Sequence, residues 1–527
     1  HTSKEIGKDY LDILKHQAPE FLDASLDLCK QNDELGNADV YEYGELGLIS
    51  PSTLYYMKVA SDLKVLFGDN IGDDITEIGC GYGGQALILD RVFEFSKNTL
   101  FDIDLVLDLT SRYLEHFTLR GSYKTTTINT VTPQNYDLVI SNYAFSELPA
   151  DLQKKYIFQG IIDMRVFVGE PGYEYKENFR TLSNAALSGG VTSVVTMPNT
   201  DPVIDNVSIV DFLKRRGRDK SKINIFPCAS LTQNIEGTNM TEFGLLANKG
   251  IVAFTDGVKT IQNTRLMSRI MNSAKDLGCL IMQHAEDYEL AKNGMINSGI
   301  IATKLGLSSI PDVAERIIIE RDLTLLEKVK CRYHISQLSS GKSVEIIKER
   351  KNDIKFSCGV SINNLSLNEN DIGDFKTFLK LSPPLRKEED RLALVQGLKD
   401  KTIDVIVSDH KPEDEESKRL TFSQAATGAS GIETLLSLSL ELFHNGSVKL
   451  ETIIQALTSN PAKILNINKG NLSIGNDADF CIVDINKPWI VKKENLISKS
   501  KNTSIEDKKL QGKVTNTFVK GKELFKI

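Results

Sequence analysis

Residues 158–172 of the chain read Phe158-Gln159-Gly160-Ile161-Ile162-Asp163-Met164-Arg165-Val166-Phe167-Val168-Gly169-Glu170-Pro171-Gly172. A mostly apolar run follows Gly160, and the Glu-Pro-Gly triplet at 170–172 ends it. Short apolar runs bounded by glycine and proline are typical of buried strands, and a Pro-Gly pair is typical of a turn. The stretch therefore predicts one buried strand that begins near Phe158 and leads directly into a turn.

Polar residues stand directly after apolar segments at three further places downstream of this strand. They are Asp256 after 251–254, His284 after 280–282 and Asp409 after 403–407. Apolar segments alternate with helical ones in this region, which indicates βα units and a parallel sheet. The spacing from Asp256 to His284 is close to the roughly 30 residues that one unit of a (β/α)8 barrel requires. We therefore predict an α/β fold with a TIM-type barrel and these polar side chains at its C-terminal mouth.

Seven segments, in the same order along the chain, resemble the dihydroorotases of the amidohydrolase superfamily. They are residues 163–172, 189–202, 381–386, 408–410, 431–434, 460–462 and 469–480. The resemblance implies an amidohydrolase barrel over 156–467. It also implies that 468–527 form the C-terminal half of a small β-sandwich. The family usually carries the other half of that sandwich before the first barrel strand, and residues 1–155 stand in its place.

The resemblance implies a metal site that has lost part of its ligand set. The family holds two zinc ions, and Arg165 and Phe167 occupy the positions of the two zinc-binding histidines of the first strand. A guanidinium offers no lone pair, and its charge repels a cation. The ligands that the resemblance leaves are Asp256, His284 and His334, which suffice for at most one zinc with an open position.

The same resemblance assigns the proton-transfer and substrate-binding groups. Asp409 matches the general base of the family. Of the three groups that bind the substrate carboxylate, Asn199 remains, whereas Gly169 replaces an arginine and Glu413 replaces a histidine. A glutamate at that place would repel a substrate carboxylate. A single histidine at a strand end is more often structural, but two histidines and two aspartates at strand ends together favour a former metal site.

Residues 74–85 contain a different motif, in which a short strand ends in a glycine-rich turn before an apolar helix. Glycines let the backbone approach a ligand closely, and the helix N-terminus favours an anionic group. A second strand ends at Asp102, where an acid can accept ribose hydroxyls, and a third strand candidate covers 136–141. Taken alone, the glycine turn is equally compatible with a purely structural role.

Together these features resemble S-adenosylmethionine-dependent methyltransferases, especially sugar O-methyltransferases. By this resemblance the cofactor site would be lined by Glu77, Gly79, Gly81 and Asp102, and the reacting end by Asn142, Phe145 and Glu147. Alternatively, Asn142 and Glu147 only cap the next helix. About four strand candidates precede residue 155, fewer than a complete sheet of this class requires. We therefore predict a partial Rossmann-like segment, a methyltransferase-like fragment over 1–155, that does not bind S-adenosylmethionine.

Composition narrows the function classes. The formal net charge is -8, which argues against a nucleic-acid or anionic-membrane partner. No apolar run approaches the roughly 20 residues of a membrane-spanning helix, and the start at His1 is not a signal peptide. Seven cysteines without CxxC pairs fit a reducing cytoplasm better than a disulfide framework.

Three hypotheses for the function follow from the two resemblances. The first is a dihydroorotase-family cyclic amidohydrolase of pyrimidine biosynthesis, with impaired activity and one zinc at most. The second is a noncatalytic homologue that scaffolds aspartate transcarbamoylase. The third is methyl transfer by residues 1–155. For the first we expect a small-molecule substrate such as dihydroorotate, and for the chain as a whole a homo-oligomer.

Overall fold

The computed structural model describes residues 3–36, 38–127, 136–141, 155–473 and 475–527. It divides into two compact units, His1–Gln153 and Lys154–Ile527. The predicted site residues Asn142, Phe145 and Glu147 lie outside the described residues. No helix in the described ranges combines the length and the apolar character needed to cross a bilayer.

The first unit contains a four-stranded parallel sheet with helices packed around it. Its described helices are α1 Lys4–Gln17, α2 Pro19–Cys29, α3 Pro51–Phe67, α4 Gly84–Val92 and α5 Asp104–Leu114. Its described strands are β1 Tyr41–Glu42, β2 Leu48–Ile49, β3 Asp74–Ile78, β4 Lys97–Phe101, β5 Ser122–Thr126 and β6 Leu138–Ile140. The sheet runs in the order β5-β4-β3-β6 with every pair parallel. This order places the strand that precedes the glycine turn, β3, inside the sheet.

The second unit is built on a nearly closed barrel of eight parallel strands. The strands of this unit are β7 Lys155–Gln159, β8 Ile161–Val166, β9 Val191–Thr196, β10 Asn224–Ala229, β11 Ala253–Phe254, β12 Leu280–Gln283, β13 Ile296–Asn297, β14 Ser309–Ile310, β15 Arg332–Leu338, β16 Ser357–Ser361, β17 Val405–Val407, β18 Phe480–Ile490, β19 Lys509–Val519 and β20 Lys522–Lys526. The barrel order is β17-β16-β15-β12-β11-β10-β9-β8. The amide of Phe167 donates to the carbonyl of His410 over 2.9 Å, which joins the first and last strands. The predicted TIM-type barrel is therefore confirmed.

Helices cover the outside of the barrel. They are α6 Phe179–Ser188, α7 Val207–Lys220, α8 Phe243–Ala247, α9 Thr264–Leu277, α10 Tyr288–Ala291, α11 Ile300–Leu305, α12 Val313–Val329, α13 Gly341–Arg350, α14 Ile362–Ser366, α15 Glu388–Lys399, α16 Glu415–Arg419, α17 Leu435–His444, α18 Leu450–Leu457 and α19 Ser459–Leu465. Helix α9 shows why they form. Its residues Leu266, Met267, Ile270 and Met271 are buried on one face, at the spacing of an amphipathic helix. The Asn263 side chain caps its first turn.

The apolar strand β8 supplies both layers of the barrel core. Ile162 and Met164 pack in one buried cluster with other inward-facing strand residues. Ile161 and Val166 pack in the larger cluster that the covering helices share. Both faces of this strand are buried, so its polar residues Asp163 and Arg165 are buried together with its apolar ones.

The prediction of one continuous strand from Phe158 was wrong, because the stretch forms two strands that separate at Gly160. β7 pairs antiparallel with β18, whereas β8 pairs parallel with β9. The Gly160 amide donates to the Asp479 carbonyl over 2.8 Å at the break. A Cβ atom at this position would lie 2.1 Å from the Thr192 hydroxyl oxygen, so only glycine fits between the two strands.

The three C-terminal strands and β7, which precedes the barrel, form a four-stranded antiparallel sheet in the order β20-β19-β18-β7. Cys481, Val483 and Ile485 alternate along β18 and pack into the barrel core. Strands β18 to β20 of this sheet lie within 468–527, the region for which the resemblance implied the C-terminal half of a β-sandwich. It attaches to the barrel through one apolar face.

Candidate functional site

Arg165 lies at the carboxyl end of β8 and is the largest fully buried side chain of the described chain. Its Nε donates to Oδ1 of Asp409 over 2.9 Å. Its Nη1 donates to the carbonyl of Gly257 over 3.3 Å. The guanidinium carbon lies 5.3 Å from the centroid of the Phe167 ring. The two residues that replace the expected histidines are therefore in contact, and one of them supplies a buried positive charge.

Asp409 follows β17 and is 8% exposed. Its backbone has φ +51°, a left-handed conformation that is uncommon outside glycine and asparagine and is often found at functional sites. Burial raises the pKa of Asp409, and the adjacent Arg165 guanidinium opposes that rise. The predicted base is thus at the barrel mouth, but its Oδ1 is bound to the Arg165 guanidinium, which β8 supplies.

His284 and His334 lie at neighbouring strands β12 and β15 and are almost completely buried. Burial lowers the pKa of each imidazole to about 3, and the charge of Arg165 contributes to both shifts. Both rings are therefore neutral near pH 7. Nδ1 of His334 is 2.8 Å from the Ser357 hydroxyl, whereas its Nε2 and both ring nitrogens of His284 have no hydrogen-bond partner among the described residues.

Asp256 follows β11, but its carboxylate is already used by the protein. Oδ1 accepts the amides of Leu231 and Thr232 over 2.8 and 3.0 Å. Oδ2 accepts the Thr232 hydroxyl. Burial raises the pKa of Asp256 to about 6. The carboxylate therefore anchors the loop after β10.

These residues do not fit a zinc ion as they are arranged. The described chain holds no group of three or more histidine, cysteine or carboxylate side chains in a metal-binding arrangement. Asp256 is occupied by backbone amides, and the Arg165 guanidinium is close enough to depress the pKa of both predicted histidine ligands. The structure thus leaves the predicted set of Asp256, His284 and His334 unassembled, and the single zinc stays a prediction.

We expect elemental analysis of the purified chain to find no more than one zinc per chain, because the first-strand imidazoles are absent and Asp256 is occupied. His284→Ala should remove whatever zinc remains after desalting. His444→Ala is the matched control, since that imidazole is 2.9 Å from the carbonyl oxygen of Ile485. Two tightly bound zinc ions per chain would contradict this reading of the site.

The predicted substrate groups are partly assembled. The Asn199 amide nitrogen donates to the Asp256 carbonyl over 3.2 Å, and its Oδ1 has no partner among the described residues. Gly169 has φ +73°, and a Cβ atom there would lie 2.7 Å from the Tyr173 carbonyl oxygen. In this backbone conformation an arginine at 169 would be strained and crowded.

Glu413 does not present the free negative charge that the sequence suggested. It is 5% exposed and its carboxylate is 2.6 Å from Nζ of Lys176. Nζ of Lys411 is 3.9 Å from the same carboxylate and 5.8 Å from the Phe167 ring centroid. The two lysines neutralise Glu413. Sequence reasoning missed Lys411, although its place two residues after Asp409 was a signal that it would reach the same mouth.

The predicted cofactor residues of the first unit meet at the ends of β3 and β4. The Gly81 amide donates to Oδ2 of Asp102 over 3.0 Å, and the Gly79 amide donates to the Phe101 carbonyl over 2.7 Å. Glu77 is 2% exposed, and burial raises its pKa to about 8. Asp102 thus binds the glycine turn itself, and Glu77 is mostly protonated at neutral pH.

Comparison with known proteins identifies the second unit. Residues 154–343 match a family model described as Dihydro-orotase-like. A dihydroorotase from Syntrophus aciditrophicus (strain SB) is 39% identical over 376 residues, which cover 71% of this chain and 88% of the relative. One from Ehrlichia canis (strain Jake) is 39% identical over 377 residues, 71% of this chain and 84% of the relative. The chain belongs to the dihydroorotase family.

Solved structures show the same fold at lower sequence identity. An L-hydantoinase (dihydropyrimidinase) from Arthrobacter aurescens superposes with a TM-score of 0.65 at 22% identity, covering 75% of this chain and 88% of that one. A D-hydantoinase from Bacillus sp. AR9 superposes with a TM-score of 0.62 at 20% identity, covering 71% and 86%. This dihydroorotase-family chain therefore keeps the barrel of its relatives, with an arginine inside the mouth.

Proposed function

We propose that this chain serves the dihydroorotase step of pyrimidine biosynthesis, the interconversion of N-carbamoyl-aspartate and dihydroorotate, at a strongly reduced rate. The observation that carries the proposal is the place of Asp409. It matches the general base of the family and lies at the barrel mouth within 2.9 Å of Arg165. Asn199 and His284 follow β9 and β12 of the same barrel, and His334 lies within β15.

Hydrolysis of a cyclic amide adds water to the ring carbonyl and breaks the C–N bond. It needs a base for the proton of the attacking water and donors for the negative charge on the carbonyl oxygen. Oδ1 of Asp409 is held by Arg165, so the other carboxylate oxygen would take the proton. Nη2 of Arg165 is buried without a partner among the described residues, and its N–H groups would donate to the oxyanion. Zinc, when bound in this family, supplies Lewis-acid polarisation.

Dihydroorotate turnover by the unmodified chain and by Asp409→Ala tests this proposal. We expect a slow rate that is lost in Asp409→Ala, because that change removes the base. Asp484→Ala, on β18 of the small sheet, is the matched control and should keep the slow rate. If the unmodified chain, Asp409→Ala and the buffer blank all show the same rate, the catalytic proposal fails.

One specific observation favours the noncatalytic candidate. The Arg165–Asp409 salt bridge stabilises the ionised carboxylate and so weakens the base. A barrel kept for its surface does not need a strong base at this position. This candidate predicts that the chain co-elutes with aspartate transcarbamoylase on size exclusion, equally with and without Asp409→Ala. Separate elution together with no turnover would exclude both candidates.

We also propose that the first unit does not bind S-adenosylmethionine. Asp102 already accepts the Gly81 and Ile103 amides, so the glycine turn competes with ribose hydroxyls for this carboxylate. Calorimetric titration with S-adenosylmethionine should show no binding heat. A micromolar dissociation constant that weakens with Gly81→Val or Asp102→Ala would show instead that the segment is a working methyltransferase site.

We place the chain in the cytoplasm and expect a homo-oligomer. All seven cysteines are free, and free buried thiols fit a reducing compartment.

A further inference from the structure

A cavity of about 570 Å³ opens between the start of α17 and the small sheet, away from the barrel mouth. Its walls are mostly apolar and include Leu436, Leu496, Val514 and Phe525. Small-molecule sites in proteins are typically clefts of about 300–1,000 Å³ with apolar walls and a few placed polar groups. The volume and the apolar lining of the cavity therefore suit a small molecule. The polar groups on the wall determine which chemical class of small molecule can bind.

Trp489 and two lysines supply the polar part of this cavity. Nζ of Lys513 lies 4.0 Å from the centroid of the Trp489 ring, and the indole Nε1 donates to the Gly512 carbonyl over 3.0 Å. Burial lowers the pKa of Lys513, and the nearby charge of Lys487 adds to that shift. The cavity wall thus carries two like charges, one of them over an aromatic ring, and their repulsion costs free energy unless an anion binds between them.

The carboxylates near the cavity do not neutralise these lysines by contact. Glu433 accepts the amides of Ile497 and Ser498 and the hydroxyl of Ser188, so it attracts Lys513 only at longer range. Lys492, also on the wall, is paired with Asp507. Within the described chain, Lys487 and Lys513 have no carboxylate at ion-pair distance. Among the described residues, their ammonium groups are the cations of the cavity wall without a carboxylate partner.

We propose that this cavity binds an amphipathic anion, with the apolar or aromatic body against Leu436 and Phe525 and the acid group at Lys487 and Lys513. A carboxylate, sulfonate or phosphate fits two ammonium donors, and the apolar walls exclude a small inorganic ion as the whole ligand. The inference is independent of the function proposed for the barrel mouth, because no residue of that site lines the cavity.

Trp489 is the single tryptophan of the chain, so its fluorescence reports on this cavity alone. The probe is 8-anilinonaphthalene-1-sulfonate, and its matched control is N-phenyl-1-naphthylamine, which lacks the sulfonate. We expect the sulfonate dye to quench Trp489 by energy transfer and to bind about tenfold more tightly than the neutral dye. Equal affinities for the two dyes would overturn the proposal. They would indicate that the cavity is an apolar docking surface for another polypeptide segment.

The double variant Lys487→Met, Lys513→Met should weaken the sulfonate dye about tenfold and leave the neutral dye unchanged. Lys513→Arg should retain binding, because it keeps a cation over the ring. Lys522→Met, on β20 outside the cavity, is the charge-matched control for the single change Lys487→Met. If the double variant does not fold, Lys487→Met alone, at an exposed position, should still weaken binding severalfold. Unchanged sulfonate affinity in the folded lysine variants contradicts the proposal.

Displacement of the dye distinguishes two sources of such an anion. Decanoate carries an aliphatic body, and phenyl phosphate carries an aromatic one. Displacement of the dye by either compound supports the proposal. It also shows whether the apolar walls bind an aliphatic or an aromatic group more tightly. Displacement by neither overturns it.

Discussion

Dihydroorotate hydrolysis by the unmodified chain is expected to be at least about a thousandfold slower than by a family enzyme working at an ordinary rate of about 1–1000 per second. Lewis-acid polarisation by a metal is worth several kcal/mol, and each 1.36 kcal/mol is about tenfold in rate. Arg165 adds to the deficit because its charge stabilises the ionised form of Asp409 and so weakens it as a base.

Loss of the dihydroorotate absorbance measures this rate, with a purified dihydroorotase of the family as the reference. A rate within tenfold of the reference, abolished by Asp409→Ala, would show that the guanidinium replaces the metal without loss. Arg165 would then be a catalytic group, and the noncatalytic candidate would be excluded.

Restoring the imidazoles should recover part of the missing activity when zinc is supplied. Arg165→His and Phe167→His together return two ligands and release Asp409 from its ion pair. Each change alone should do little, because two imidazoles must bind one ion. Adding Gly169→Arg should reduce the gain, since a side chain there meets the Tyr173 carbonyl at 2.7 Å. The same double change in an Asp409→Ala background is the control and should remain inactive.

The barrel could be predicted from the sequence because its signals are local. Each of Asp256, His284 and Asp409 directly follows an apolar segment, and strand ends of one parallel barrel meet at the same mouth. The break at Gly160 could not be predicted, because it depends on Asp479, more than 300 positions away. Without that partner, Phe158 and Ile161 belong to one apolar run.

The hydrogen-bond and ion-pair partners of the site residues come from distant parts of the chain, so no local sequence pattern shows them. Asp256 follows its strand as expected, but the amides of Leu231 and Thr232 reach its carboxylate from another loop. Arg165 and Asp409 are 244 positions apart, and only barrel closure brings them together. The sequence showed that two ligands were missing. It did not show that the replacement arginine would pair with the remaining base.

Replacing Arg165 with methionine should lower the free energy of unfolding of the second unit by about 3–5 kcal/mol. Methionine keeps the apolar stem but leaves the Asp409 carboxylate buried without its cation. Removing one partner of a buried ion pair typically costs that amount, because the remaining charge is uncompensated. Denaturant unfolding followed by Trp489 fluorescence measures it, since the only tryptophan lies in this unit.

The pH dependence of this loss identifies its cause. Burial already raises the pKa of Asp409, and Arg165 opposes the rise, so Arg165→Met should raise that pKa further above the unfolded value of about 3.9. Below the unfolded pKa the carboxyl is protonated in both states and costs nothing. As the pH rises toward the folded pKa, the unfolded state releases its proton first, so the loss grows and then levels off.

Pairing Arg165→Met with Asp409→Asn should return most of the stability and remove this pH dependence. The double change deletes both charges, and neutral groups in place of a buried ion pair are often tolerated. Asparagine also accepts the φ of +51° at position 409. Equal losses in the single and double variants at every pH would mean that Arg165 stabilises the barrel through packing on Phe167. The buried guanidinium would then be a filler of the former metal site, without an electrostatic role toward Asp409.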